Sequence, residues 1–214
     1  MPPAAPIAVV PPPPPPEALA ALRAAMTRHA GVVRDEAGLT ALLALIDDWL
    51  APGRATDVIA CGMVGARQGW VEAAYRPLPC PPVGPPLTPA PVSDPRLRVA
   101  IVPGLSQTRP AADVMRGEET QIFGALGQDS GGADSGKRAL IGLPGTHAKW
   151  AVVQAGRIER FHTFMTGEVF AALREHTILG RTMDTPDRPD TDAFLHGVKI
   201  ARDKGQAGLL ATVF

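Results

Sequence analysis

Short apolar runs in the second half of the chain predict three consecutive strands. They cover Ala139–Leu143, which is predicted to be a short buried strand, Trp150–Gln154 and Arg157–Thr163. The step Gln154–Ala155–Gly156 predicts a tight hairpin between the last two, with glycine supplying a positive φ. The first two strands are separated by the turn Pro144–Gly145–Thr146–His147.

The first half combines helical and strand patterns, which predict helices that cover a sheet. One helix is predicted over residues 17–28, with an apolar face of Leu19, Leu22 and Met26. A second is predicted from Asp35, a plausible N-cap, to Pro52-Gly53. Its wide apolar stripe consists of Leu39, Leu42, Leu43, Ile46, Trp49 and Leu50. Val58–Cys61 is predicted to be a buried strand, and Arg98–Pro103 a further strand.

Three more helices are predicted further along the chain. Asp113 is expected to cap a helix that carries residues 116–121, and Thr166 one that ends at 179–181. The inward face of the latter is predicted to be Val169, Phe170 and Leu173. A last helical pattern starts at Asp192 and is still apolar at Phe214. This pattern indicates truncation, because no cap ends it.

Composition narrows the class of protein. The chain has 214 residues, and its 21 Lys and Arg are balanced by 21 Asp and Glu. There is therefore no excess of positive charge that would predict binding to nucleic acid. Only Cys61 and Cys80 are present, without metal-like spacing, which favours reduced thiols in a cytoplasmic protein. The apolar run Ile7–Val10 is far too short to span a membrane, so no membrane partner is expected.

Proline is concentrated in two segments, residues 2–16 and 77–95. Both are predicted to be extended and without regular secondary structure, because proline lacks the donor that ladders and helices need. The first segment is interpreted as a disordered leader or a mis-assigned start of the reading frame. The alternative is a ligand for a proline-binding domain.

The turn Pro144–His147 is a candidate anion site. A Pro-Gly-Thr turn between two strands leaves backbone N–H groups unpaired and pointing outward. Gly145 allows close approach of a ligand to the main chain, and Thr146 adds a hydroxyl donor. Such a turn suits a phosphate, although a plain strand connection is an equally good interpretation of this stretch alone.

The glycine-rich segment Gly62–Trp70 follows a predicted strand, where α/β sheets usually bind their ligands. Its spacing does not match the G-x-G-x-x-G pattern of dinucleotide sites. We interpret it as a substrate loop with Arg67 and Gln68 as its polar groups. The alternative is that this segment has a purely structural role, as a chain crossing in which glycine is needed for close packing.

Carboxylates near residue 118 are candidates for proton transfer. Glu119 precedes the apolar stripe of its predicted helix, so it is a candidate general base for a hydroxyl. The alternative is a favourable charge at a helix N-terminus. The stretch Gly131–Lys137 matches G-x-x-x-x-G-K, but Arg138 replaces the Ser or Thr of a P-loop and a strand follows. We therefore interpret it as a surface connection.

Four blocks together resemble the 2-dehydro-3-deoxygalactonokinase family, in order and in spacing. This family consists of sugar-acid kinases with the α/β, ribonuclease H-like fold of the actin/hexokinase/Hsp70-type ATPases. The blocks are Ala60–Trp70, Val114–Gln121, Leu143–Trp150 and Thr163–Glu168 on to Leu179–Arg181.

The resemblance implies phosphoryl transfer from ATP, with Mg²⁺, to the terminal hydroxyl of 2-dehydro-3-deoxy-D-galactonate. It implies that Gly145, Thr146, His147 and Lys149 bind the nucleotide phosphates. Glu118 or Glu119 would accept the hydroxyl proton or hold Mg²⁺ through water. Arg67, Gln68 and Arg116 would bind the substrate, with an arginine on its carboxylate. The expected partner is a small sugar acid, and a homodimer is possible.

The chain departs from the family pattern at both ends. No Asp-x-Gly-Thr loop is present, and the family continues past residue 214. The sequence thus predicts a leader (1–16), a partial first kinase domain (17–130) with an extended arm (77–95), and the start of a second domain (139–214). Activity of the chain alone is expected to be near background. A phosphatase of the same superfamily and an inactive, partner-binding remnant are the alternative functions.

Overall fold

The computed structural model describes residues 36–128, 138–183 and 190–208. Five of the predictions lie outside these residues. They concern the proline segment 2–16, the helix over 17–28, the N-cap Asp35, the connection 131–137 and the apolar end 209–214.

The chain divides into two compact units. The first unit consists of Met1–Gly142 and Lys149–His162, and the second of Leu143–Ala148 and Thr163–Phe214. The turn Pro144–His147 thus belongs to the second unit, whereas Lys149 belongs to the first. The assignment of residues 17–130 and 139–214 to two kinase domains stays a prediction.

The described residues form four α-helices and nine strands. The helices are α1 (Glu36–Ile46), α2 (Glu118–Gln128), α3 (Thr166–His176) and α4 (Thr191–Lys204). The strands are β1 (Thr56–Ala60), β2 (Arg76–Pro77), β3 (Thr88–Ala90), β4 (Leu97–Ile101), β5 (Leu105–Gln107), β6 (Asp113–Met115), β7 (Arg138–Leu143), β8 (Ala148–Gln154) and β9 (Arg157–Phe164). They build three sheets, in the orders β1-β4-β3, β2-β5-β6 and β7-β8-β9.

The first sheet is covered by α1, as the apolar stripe predicted. β1 and β4 are parallel, and β3 pairs antiparallel with β4. Leu39 and Leu50 pack with Leu97 and Val99 in one buried cluster.

Two details of the prediction for the first sheet and its helix are wrong. Trp49 is 57% exposed, because the helix tightens into a 3₁₀ turn at Asp47–Trp49. β1 is half-buried rather than buried, with Ile59 69% exposed, since only alternate residues face the helix.

The proline arm 77–95 is not wholly irregular, contrary to the prediction. Pro77 ends β2, which pairs with β5, and Thr88–Ala90 form β3. β3 contains Pro89 and lies at an edge of the first sheet. An edge strand tolerates proline because its outer side needs no donor for the ladder.

The strands β7, β8 and β9 confirm the three predicted strands, but β7 is not buried as predicted, since Leu140 is 63% exposed. The turn between β8 and β9 has positive φ at both Ala155 (48°) and Gly156 (70°), as a two-residue hairpin of the favoured hand requires. Ala151, Val153 and Phe161 are fully buried. The third sheet therefore supplies a large part of the core of the first unit.

The helix predictions need three corrections. Asp113 does not cap a helix, because Asp113–Met115 pairs with β5 and α2 starts only at Glu118. α3 has Met165 rather than Thr166 as its cap residue, ends at His176 rather than at 179–181, and leaves Phe170 53% exposed. Within residues 190–208, the last α-helix ends at Lys204 and is followed by the 3₁₀ turn Gly205–Ala207.

Gln107 joins the second sheet to the third. Its side-chain Nε2 donates to the Phe161 carbonyl oxygen at 2.9 Å and to the Ala111 carbonyl at 3.1 Å. Its Oε1 accepts from the Phe161 N–H at 2.9 Å. Gln107 and Phe161 are both buried, so the amide satisfies backbone groups that water cannot reach.

We expect Gln107→Leu to destabilise the protein by roughly 2–6 kcal/mol, because two buried backbone groups of Phe161 lose their partners at about 1–3 kcal/mol each. Urea denaturation followed by circular dichroism measures the change. Gln154→Leu, at an exposed position of a β-strand, is the matched control and should leave the free energy of unfolding nearly unchanged. Equal stabilities of the two variants would contradict the role assigned to Gln107.

Candidate functional site

The glycine-rich segment 62–70 begins at the carboxyl end of β1, next to the end of the parallel strand β4. Its first residues form a 3₁₀ turn, Gly62–Gly65. A Cβ at Gly69 would lie 2.3 Å from the Met63 carbonyl oxygen, so this glycine is needed for packing. Arg67 and Gln68 are exposed. The packing requirement does not decide whether the loop also binds substrate.

The turn Arg116–Gly117–Glu118–Glu119, called the glutamate turn below, contacts this loop. Gly117 has φ +109°, and a Cβ there would lie 3.3 Å from the Cα of Gly62. The structure thus brings together, within the first unit, two segments that are 55 residues apart in the sequence (117 minus 62). The close approach and the positive φ both require glycine at position 117.

The two glutamates differ in accessibility. Glu119 is fully buried; its Oε2 accepts from the Gly117 N–H at 2.7 Å, and its Oε1 lies 3.3 Å from the Thr120 hydroxyl. Burial raises the pKa of Glu119, and the nearby charge of Glu118 contributes in the same direction. Glu118 is only half-buried, and its Oε2 accepts from the Arg116 N–H at 2.9 Å. Glu118 is therefore the more accessible carboxylate.

Arg116 is held in place but keeps unpaired donors. Its Nη2 donates to the Ala73 carbonyl at 2.8 Å, and its Cζ lies 4.3 Å from the centre of the Tyr75 ring. Its Nε and Nη1 are buried without a hydrogen-bond partner among the described residues. A Cβ at Gly65 would approach Nη1 to 2.9 Å, so that glycine leaves room for the guanidinium.

Lys149 points into the first unit. It is buried, and its Nζ donates to the Val114 carbonyl at 2.9 Å and lies 5.8 Å from the Phe161 ring centre. Val114 belongs to β6, the strand that leads into the glutamate turn. The structure thus connects Lys149 to that turn, and the phosphate-binding role implied for it stays a prediction.

The turn Pro144–His147 is exposed and attached to the start of α3. The Gly145 carbonyl accepts from the Gly167 N–H at 3.2 Å, and the Thr146 carbonyl from the Glu168 N–H at 3.1 Å. In a trans peptide the C=O and the following N–H point in opposite directions. The N–H groups of Thr146 and His147 therefore point away from α3, and no described residue accepts from them.

Several residues that shape these two sites were not singled out by the sequence. Ala73 and Tyr75 hold Arg116, and Gly167 and Glu168 contact the 144–147 turn. Gly167 and Glu168 lie within the family-like block Thr163–Glu168, but that block alone gave them no role. A carbonyl such as that of Ala73 carries no sequence signal, because every residue has one.

The described residues contain neither a cluster of metal ligands nor a helix able to span a membrane. Residues 36–128, 138–183 and 190–208 contain no group of three or more His, Cys, Asp or Glu side chains that could hold a metal ion. None of the helices in these ranges has both the length and the hydropathy needed to cross a membrane.

Comparison with known proteins identifies the class of this chain. The family model of 2-keto-3-deoxy-galactonokinase matches residues 18–214. The chain therefore belongs to this family, as the four sequence blocks indicated.

Individual relatives agree with this assignment. The chain is 44% identical over 133 residues to "Probable 2-dehydro-3-deoxygalactonokinase DgoK1" of Rhizobium meliloti, covering 61% of this chain and 41% of the relative. It is 34% identical over 176 residues to 2-dehydro-3-deoxygalactonokinase of Escherichia coli, covering 80% and 55%. The chain thus spans about half the length of the curated relatives that it matches.

A solved structure supports the fold. The crystal structure of a protein assigned as a 2-dehydro-3-deoxygalactonokinase from Sinorhizobium meliloti matches with a TM-score of 0.67 at 37% identity. The match covers 78% of this chain and 54% of that protein. The predicted α/β, actin/hexokinase-type fold is confirmed.

Glu119 generates a prediction on pH dependence. Its pKa is higher in the folded than in the unfolded protein. As the pH rises above the ordinary glutamate pKa, this carboxyl ionises more readily in the unfolded protein, and the free energy of unfolding therefore falls. Glu119→Gln removes this effect and keeps an oxygen for the Gly117 N–H. We expect the stability of Glu119→Gln relative to the unchanged protein to rise as the pH increases from about 4.5, the ordinary pKa.

Urea denaturation between pH 4 and pH 8 measures this difference. Glu159→Gln, a half-buried glutamate of β9, serves as the control at each pH. A difference for Glu119→Gln that does not change with pH would show that this carboxyl titrates alike in the folded and unfolded states.

Proposed function

We propose that this chain acts in the cytoplasm in phosphoryl transfer from ATP to the terminal hydroxyl of 2-dehydro-3-deoxy-D-galactonate, giving the 6-phosphate. The observation that carries the proposal is the exposed 144–147 turn, in which two adjacent N–H groups have no acceptor among the described residues and Thr146 adds a hydroxyl. Membership of the 2-keto-3-deoxy-galactonokinase family supports the substrate. The comparisons do not favour the phosphatase or the inactive remnant.

The 144–147 turn would bind the phosphates of the nucleotide. The N–H groups of Thr146 and His147 are adjacent and fixed by the peptide planes whose carbonyls bond α3. Gly145 carries no side chain that would keep a phosphate oxygen at a distance, and a Cβ there would meet nothing within 4 Å. Donors that are already oriented stabilise charge at the phosphates without reorganisation during the reaction.

Glu118 would act as the general base. Phosphoryl transfer depends mainly on positioning and on stabilisation of charge, so a carboxylate that accepts the hydroxyl proton is sufficient on the acceptor side. Glu118 is half-buried and accepts one bond from the Arg116 N–H. Both oxygens of the fully buried Glu119 already have partners. Glu119 would therefore hold the glutamate turn in shape.

Mg²⁺ fits the same carboxylate. The ion usually keeps several waters and is held by one or two carboxylates together with phosphates of the substrate. Glu118, which is half-buried, would hold such a water. When bound, the ion would neutralise negative charge on the phosphates.

Arg116 would bind the carboxylate of the sugar acid. Its guanidinium is held by Ala73 and Tyr75, and two of its nitrogens remain without partners among the described residues. Buried donors without partners are rare in proteins, so a ligand that pairs with them explains their presence. Arg67 is exposed and is held by no hydrogen bond or ion pair in the described residues, so it is the weaker candidate.

Coupled measurement of ADP release tests the function. It is run on the 214-residue chain and on a chimera that adds the segments of the E. coli relative outside the match. We expect turnover of the sugar acid by the chimera and near-background rates for the chain alone, which lacks an Asp-x-Gly-Thr loop. Thr146→Ala and Glu118→Gln should each lower kcat of the chimera by roughly 10²–10³, the usual effect of losing such a group.

Thr108→Ala, at an exposed position outside both candidate sites, is the control. A folded chimera that transfers phosphate to a different sugar acid and not to this one would overturn the proposed substrate. Full activity of Thr146→Ala would overturn the proposed phosphate site.

Arg116→Met should raise the KM of the chimera for the sugar acid by roughly 10- to 100-fold and leave the KM for ATP unchanged. The expected size follows from a charge-assisted hydrogen bond of about 1.5–3 kcal/mol. Arg67→Met, the matched control in the glycine loop, should change neither value strongly. A larger increase in this KM for Arg67→Met than for Arg116→Met would instead assign binding of the substrate carboxylate to Arg67.

A further inference from the structure

We propose that Gly167 and Glu168, the second and third residues of α3, are positioning residues that hold the 144–147 turn in its binding conformation. The proposal rests on the proposed phosphate-binding role of that turn. It concerns contacts within the second unit, and it assigns His147 a supporting role rather than direct contact with phosphate.

The backbone of α3 holds the turn from one side. The Gly167 N–H donates to the Gly145 carbonyl at 3.2 Å and the Glu168 N–H to the Thr146 carbonyl at 3.1 Å. The first N–H groups of a helix have no partner inside the helix, so they are available for such bonds. Because these bonds orient two successive peptide planes, they direct the N–H groups of Thr146 and His147 away from α3.

Gly167 allows this contact because it has no side chain. A Cβ at Gly167 would lie 2.7 Å from the Gly145 carbonyl oxygen, 2.8 Å from the Thr146 Cα and 3.1 Å from the Thr146 nitrogen. All three atoms belong to the backbone and cannot rotate away as a flexible side chain would. Any other residue at position 167 must therefore displace the turn.

Glu168 adds a side-chain contact on the same side. Its Oε2 is hydrogen-bonded to Nε2 of His147, with both side chains about half exposed. A carboxylate beside a phosphate site weakens anion binding by charge repulsion. A negative residue at this position is therefore explained by the contact with His147. Since Nε2 is engaged by Glu168, the ring holds the turn and leaves phosphate to the N–H groups.

Nuclear magnetic resonance of the ¹⁵N-labelled 214-residue chain tests this arrangement, with inorganic triphosphate as the probe. In the unchanged protein, triphosphate should shift the amide signals of Thr146 and His147. Gly167→Ala should displace these two signals already without probe and weaken triphosphate binding roughly tenfold or more, equivalent to about 1.4 kcal/mol. Gly197→Ala in α4, where a Cβ meets nothing within 4 Å, is the matched control and should match the unchanged protein.

Substitutions at Glu168 separate positioning from charge. Gln can still bond the His147 ring without a negative charge, so Glu168→Gln should bind triphosphate as well as the unchanged protein or more tightly. Glu168→Ala should shift the His147 amide signal without probe and bind more weakly than Glu168→Gln. A purely structural effect of the position would not be rescued by Gln. Position 168 is exposed, so both variants are expected to fold.

Each outcome decides the proposal. Unchanged Thr146 and His147 signals and affinity in Gly167→Ala would overturn the role of Gly167. Equal binding by Glu168→Ala and Glu168→Gln would overturn that of Glu168. If triphosphate shifts neither amide in the unchanged protein, the proposed phosphate site is wrong. The spectra without probe would then still decide whether α3 holds the turn.

Discussion

The pairing of Gln107 with the backbone of Phe161 is the interaction on which the first unit depends. A buried backbone N–H or C=O without a partner costs about as much as a lost hydrogen bond, so two sheets can share a core only where such groups are paired across them. Gln107 supplies an acceptor and a donor for Phe161. Lys149 makes a second connection, from β8 to the carbonyl of Val114 in β6. Because β6 leads directly into the glutamate turn, the core that is stabilised in this way also sets the position of Glu118.

Glycine appears at the candidate sites for reasons of space as well as of chemistry. Gly65 leaves room for the Arg116 guanidinium, Gly117 for the backbone of the glycine loop, and Gly167 for the 144–147 turn. In each case the absence of a side chain brings a polar group to a defined place. The two interpretations of the glycine loop, packing and ligand binding, are therefore compatible, since close packing is what orients the polar groups around it.

Several features of the fold could be predicted from local patterns. The periodicity of α1 and the hairpin of β8 and β9 are determined by neighbours in the sequence, so the predictions for them are confirmed. The start of α2 was misplaced, because Asp113–Met115 pairs with β5, and pairing with another strand overrides a local capping signal. Exposure was the weakest prediction. Trp49, Ile59 and Phe170 are apolar yet exposed, since burial depends on which surfaces the rest of the fold provides.

The sequence by itself determined the family, the strands around the 144–147 turn and the chemistry available there, because motifs and their spacing are properties of the chain. Only the tertiary structure showed that Glu119 is buried while Glu118 is accessible, and that two donors of Arg116 have no partner among the described residues. Only the tertiary structure connected Lys149 to β6 and Glu168 to His147. These facts concern contacts between residues distant in the sequence, often through a carbonyl that every residue possesses. Residue type specifies what a side chain can do, whereas folding decides which partner it meets.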